Sequence, residues 1–133
     1  MIDFEETEFQ LRTEKVQKHM FENNVDVILL CTEPEVRYFT GFRSLFWQSP
    51  TRPWFVVIPK NGKTIAIIPD IGRDLMARTW IDDIRTWPSP RREDEGISLL
   101  VEVLEGAKNI GILMGEEASL RMPLEDFEKL KSK

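Results

Sequence analysis

The sequence predicts a three-layer α/β/α sandwich, with a mixed, mainly parallel sheet of about five strands and one β-hairpin. Three observations predict it. Short apolar runs rich in β-branched residues recur along the chain, at Val25–Cys31, Pro53–Pro59 and Thr64–Pro69, and read as strands, the first of them covered on both faces. Segments with helical periodicity alternate with them, the pattern of an α/β fold. Asn61-Gly62 separates two of the runs, the strongest short-range hairpin signal, so one strand must run against an otherwise parallel set. The length of 133 residues and mass of 15.6 kDa correspond to one domain. A chain of this size buries roughly two-thirds of its unfolded surface, enough for a core without covalent staples.

In chain order, Phe9, Val16 and Met20 share one face of a charged segment, which predicts a first helix over 5–24, closed by Asn23 and Asn24. Val25–Cys31 is the first strand. Thr32 with Glu35 three positions on has the form of a capping box, opening a short helix through Tyr38 that Gly41 ends. Pro53–Pro59 and Thr64–Pro69 are antiparallel neighbours across Lys60-Asn61-Gly62-Lys63. Asp70 caps a helix over 70–79, and Ile81–Trp87 reads as a strand on the edge side. A proline-rich charged loop, Pro88–Glu95, precedes a helix whose Ile97, Leu100, Val101 and Leu104 face inward and which Gly106 stops. Asn109–Gly115 reads as another buried strand. Pro123 opens a last helix with Leu124, Phe127 and Leu130 on its inner face.

Composition narrows the function. Eighteen Lys and Arg against 23 Asp and Glu give a net charge of −5 and a pI near 5.0. That disfavours a nucleic-acid footprint and adhesion to anionic lipid. No apolar run approaches the ~20 residues that span a bilayer. A single cysteine, Cys31, excludes an internal disulfide, and a single histidine, His19, excludes a multi-histidine zinc site. The N-terminus is acidic and lacks the pattern of a secretory leader, which leads to an expected cytoplasmic location.

The sequence carries no recognisable self-sufficient active site. There is no phosphate-binding glycine loop after a strand and no G-x-S-x-G elbow. Acid pairs at Glu5-Glu6, Asp82-Asp83, Glu116-Glu117 and Glu125-Asp126 lie in charged surroundings with nothing apolar to raise a pKa, so they read as solvated faces. His19 reads as a surface or boundary residue, and Cys31 as a small hydrophobe at a strand end. The exception is the segment 41–54. Arg43 and Arg52 stand among Phe42, Phe46, Trp47 and Trp54, the composition of a binding hot spot, and Pro50 and Pro53 stiffen it. The same aromatics fit equally well as a cap on one end of the core.

The ordered run VDVILLCTEPEVRYFTGF, then RPWFVVIP, then NGKTIAIIP, resembles the N-terminal domain of the creatinase/prolidase/aminopeptidase P family. The family phrase after the first strand stands here as Glu35-Val36-Arg37-Tyr38-Phe39-Thr40-Gly41-Phe42, with Glu35 in place of the usual Asn. The resemblance implies a creatinase/prolidase N-terminal-domain-like fold over residues 1–133, without the catalytic domain. In the family, catalysis belongs to a C-terminal domain that holds two divalent metals, such as Mn, Co or Zn, with two Asp, one His and two Glu. No part of that domain is in this sequence, so no catalytic or metal-binding residue and no cofactor is expected in this chain. The chain ends within an amphipathic pattern, which reads as a piece of a longer protein.

The resemblance further implies a role in building a homo-oligomer and in leaning over the substrate pocket of the partner subunit. It places Arg52, which with Pro53 matches the family's Arg-Pro, in contact with a carboxylate-bearing small-molecule or dipeptide substrate, together with an aromatic that is Phe46 or Trp47. No acidic residue lies within eight positions of Arg52, so it is expected to point outward. The parent enzyme is expected to be a metal-dependent hydrolase of Xaa-Pro dipeptidase, aminopeptidase or creatinase-like type, and the isolated chain inactive. An exposed patch of Phe42, Phe46, Trp47 and Trp54, with a bare sheet edge, is expected to drive self-association. The alternative is a free-standing α/β binding or dimerisation module with no enzymatic role.

Overall fold

The computed structural model describes residues 4–48, 52–91, 93–112, 115–116 and 120–132. Helix α1 spans Glu6–Glu22 and leads to strand β1, Val27–Leu30. Helix α2, Glu33–Thr40, ends at Gly41, whose left-handed φ of 80° is the conformation that glycine supplies at low cost. A 3-10 turn at Leu45–Gln48 precedes β2, Phe55–Pro59, and β3, Ile65–Pro69. A second 3-10 turn, Asp70–Gly72, runs into α3, Arg73–Met76, followed by β4, Asp83–Trp87. Helix α4, Ile97–Leu104, strand β5, Ile110–Gly111, and helix α5, Leu124–Lys131, complete the order.

The sheet order is β4-β3-β2-β1-β5. Strand β2 is antiparallel to both its neighbours, while the β1–β5 and β3–β4 pairs are parallel. Four strands therefore share a direction and β2 alone opposes them, as the Asn61-Gly62 turn requires. Gly62 carries a φ of 101° there. The pairings Leu30↔Val56, Phe55↔Ile67 and Pro69↔Trp87 bring the start of β2 beside the ends of β1, β3 and β4.

Strict alternation divides the apolar residues between two cores. Leu30, Val56, Ile58, Ala66 and Ile68 face α1, α2 and α3, where Met20, Val36 and Met76 meet them. Leu29, Cys31, Phe55, Val57, Ile67 and Trp87 face the other way, onto Ile97, Leu100 and Leu104 of α4. The three-layer sandwich with a mixed sheet is thus the observed fold.

Several local expectations are corrected. The capping box does not form: Thr32 precedes α2 with no side-chain cap bond, and its buried hydroxyl has no partner among the described residues. Pro34 and the acidic Glu33 and Glu35 define the first turn instead. Asp70 enters a 3-10 turn rather than capping, and α3 stops at Met76. Thr79 ends the helical run by donating its hydroxyl to the Met76 carbonyl while accepting from the Ile81 N–H. Strand β5 is a two-residue edge strand with Ile110 41% exposed, not a buried strand over 109–115; Leu113 and Met114 lie outside the described residues. Helix α5 packs through Phe127 and Leu130, whereas Leu124 is 76% exposed.

Candidate functional site

The sheet end that gathers Cys31, Trp54, Pro69 and Trp87 also receives the segment after α2. Trp54 lies at its centre. It is fully buried, with Phe46 stacked on it at 5.2 Å, Phe42 tilted against it at 5.6 Å and Trp47 at 6.3 Å. Gly72 meets the indole at Cζ3 and Cη2 so closely that no Cβ would fit. The aromatics therefore cap the core. Phe42 and Trp54 are removed from solvent and only the half-buried Phe46 and Trp47 reach it, so the expected four-residue exposed patch is corrected. The second part of that expectation, the sheet edge, is β5, whose outer side has no strand partner among the described residues.

Arg52 sits on this cap, immediately before the buried Pro53. It is half-buried rather than fully projecting. Its guanidinium has no hydrogen bond or ion pair among the described residues. Its carbonyl, by contrast, is held: Arg121 Nη1 donates to it at 2.6 Å and Arg121 Nη2 donates to the Trp47 carbonyl at 3.3 Å. The same guanidinium lies 4.9 Å from the Trp47 ring centre, a cation–π contact. Arg121 in turn donates its backbone N–H to the Cys31 thiol. Burial pushes the Cys31 thiol up, so it is not an activated nucleophile. Burial also lowers the pKa of Arg121, opposed by the charge of Glu33.

The structure thus brings together Phe46, Trp47 and Arg52, as the sequence grouped them. Arg121 was missed; a lone Arg in a charged stretch gives no local signal of contacts 69 and 74 positions away. His19 is exposed on α1 near Glu22. Asp82 pairs with Lys63 and Asp83 with Arg85, each in an exposed or half-exposed ion pair. Glu117 lies outside the described residues. Among the described residues no three His, Cys, Asp or Glu side chains come together as a metal-ligand group. No helix among them is long and apolar enough to cross a membrane. A polar cleft of about 340 Å³ lies at the opposite sheet end, beside Gly62, Thr64 and Asp82.

Comparison with known proteins agrees with this architecture. No curated protein matches the sequence. Among solved structures, the creatinase/prolidase N-terminal domain of an Xaa-Pro dipeptidase from Streptococcus pyogenes superposes with a TM-score of 0.71 at 12% identity, covering 92% of this chain and 86% of that one. The prolidase from Pyrococcus horikoshii gives 0.66 at 20% identity, over 92% of this chain and 29% of that one. The dipeptidase PepE from Mycobacterium ulcerans gives 0.72 at 16% identity, over 97% and 33%. The chain therefore spans about a third of the length of these last two enzymes and most of the separately solved domain. The sequence profile of the Creatinase/Prolidase N-terminal domain matches residues 12–133. With the fold and the profile in agreement over nearly its whole length, the chain belongs to the creatinase/prolidase N-terminal domain family.

Proposed function

We propose that this domain is the non-catalytic N-terminal part of a metal-dependent Xaa-Pro peptidase or creatinase-like hydrolase, and that it serves oligomerisation and gates the substrate pocket of a partner subunit. The observation that carries the reading is Arg52: a guanidinium without a partner among the described residues, on a residue whose main-chain carbonyl is held by Arg121. An unclaimed, pre-positioned guanidinium reads a carboxylate by paired, charge-assisted hydrogen bonds. Dipeptides and creatine both carry one. Phe46 and Trp47, half-buried on the same cap, supply the apolar wall beside it. The two divalent metals, Mn, Co or Zn, belong in this reading to a separate catalytic domain. The buried free thiol of Cys31 supports a reducing, cytoplasmic setting.

The test is Arg52→Ala in the enzyme that carries this domain, assayed on Xaa-Pro dipeptides and on creatine. Loss of one charge-assisted contact costs on the order of 2–4 kcal/mol in kcat/KM, and the fold of the domain is expected to be unaffected. Wild-type kcat/KM for every carboxylate substrate refutes the assignment. Turnover by the purified 133-residue chain itself, with Mn²⁺, Co²⁺ or Zn²⁺, refutes the non-catalytic reading. A chain that works with no catalytic domain encoded beside it would favour a free-standing binding module.

A further inference from the structure

We propose that Arg121 is the positioning residue of this site: its guanidinium clasps the segment that carries Arg52 and fixes where the Arg52 side chain is presented. The inference rests on the reading of Arg52 as the carboxylate reader and adds the device that holds it.

Arg121 joins three stretches of chain. Its two terminal nitrogens bond to the carbonyls of Trp47, in the 3-10 turn, and of Arg52, just before Pro53. Its side chain covers the Trp47 ring at 4.9 Å. Its main-chain N–H is held by Cys31 at the end of β1. The planar guanidinium, with five donors in a fixed fork, spans two carbonyls at once; a lysine ammonium is a point charge without that fork. The geometry leaves the Arg52 side chain as the uncommitted part of a residue whose main chain is locked. On the other side of the residue, Pro53 offers no N–H and its ring restricts both its own backbone and that of Arg52. Ordering the reader before the substrate arrives removes an entropic cost from binding.

The expected signature is a change confined to carboxylate recognition. In the enzyme carrying this domain, KM and kcat are measured on an Xaa-Pro dipeptide and on its C-terminal amide. Arg121→Ala raises KM for the dipeptide about tenfold, with kcat held within about twofold, and leaves the amide unchanged. The double variant Arg52→Ala/Arg121→Ala is no worse than Arg52→Ala, because Arg121 acts only through Arg52. Arg121→Lys falls between, at about threefold. Equal losses on dipeptide and amide, or additive effects in the double variant, overturn the proposal by showing general loosening. If Arg52→Ala raises KM and Arg121→Ala does not, the positioning role falls while the reading of Arg52 stands. If Arg52→Ala itself leaves KM unchanged, that reading falls and takes the positioning role with it. Should Arg121→Ala fail to fold, Arg121→Lys decides: an unchanged dipeptide KM, or an equal rise on the amide, overturns the clasp.

Discussion

Gly72→Ala sets two opposing effects against each other beneath the aromatic cap. Gly72 lies on right-handed backbone, φ −95° and ψ −2°, which alanine adopts freely. On backbone grounds alone the change stabilises by about 0.5–1 kcal/mol, through lost freedom of the unfolded chain. Packing reverses the sign. The new Cβ would stand 2.3 Å from Trp54 Cζ3 and 2.8 Å from Cη2, where carbon atoms settle at ~3.5–4.0 Å. Trp54 must therefore retreat by about 1 Å or more. Phe42, Phe46 and Trp47 pack against that indole, so it has little room to retreat. Overpacking of this kind costs about 1–3 kcal/mol, more than the backbone returns, and the net loss is about 1–2 kcal/mol. With about 2.1 cal/mol/K of unfolding entropy per residue, a chain of this length loses about 4–7 °C in Tm. Thermal unfolding followed by circular dichroism measures it. Gly62→Ala is the companion variant, since its φ of 101° brings strain while its nearest heavy atom stands 4.0 Å away. A Gly72→Ala protein with a Tm at or above wild type refutes the claim that Trp54 is immobile.

Glu95→Ala is expected to cost about 2–3 kcal/mol in urea unfolding, because Glu95 accepts from the buried Trp87 indole, the Ser89 hydroxyl and the Arg91 N–H; a loss under about 0.5 kcal/mol would show these groups rehydrated. Asp26 accepts the N–H groups of Asn109 and Lys108, which with nearby Lys60 hold its carboxyl below its ordinary value of 3.8. Its contribution is therefore complete above 3.8 and is lost as pH falls through the lower folded-state value. Asp26→Asn should flatten the stability profile in that acid range, and superimposable acid-unfolding curves would contradict this. Cys31, buried and with its pKa raised, should react with a disulfide reagent at pH ~8 only as fast as the protein opens; rapid labelling of the folded chain would contradict its burial.

Much of this architecture is legible because the sheet imposes a simple rule on sequence. The β-branched runs, the Asn61-Gly62 turn and the left-handed Gly41 each state a local requirement that only strand, hairpin or helix end satisfies. The length of β5 was not legible, since an apolar run such as Asn109–Gly115 has the same composition whether it lies at the middle or the edge of a sheet. Phe42 and Trp54 illustrate the limit at the site. Their neighbours in sequence fit a binding surface and a core cap equally, and Gly72, 18 positions beyond Trp54, is what closes over the indole. Arg121 was beyond sequence reasoning for the same reason, because its partners are main-chain carbonyls, which carry no side-chain signature.

The reversal of β2 has an evolutionary corollary. The register of the central strands is set by the Asn61-Gly62 turn at one end of the sheet, whereas residues 41–54 enter β2 from the other. Insertions or deletions in that entry leave every strand pairing in place, because no ladder is counted through it. The path of this entry and the register of the strands are therefore separate traits, heritable independently. Lineages that share this scaffold can lengthen or shorten the arm that carries an Arg-Pro pair while the strands beneath it stay as they are.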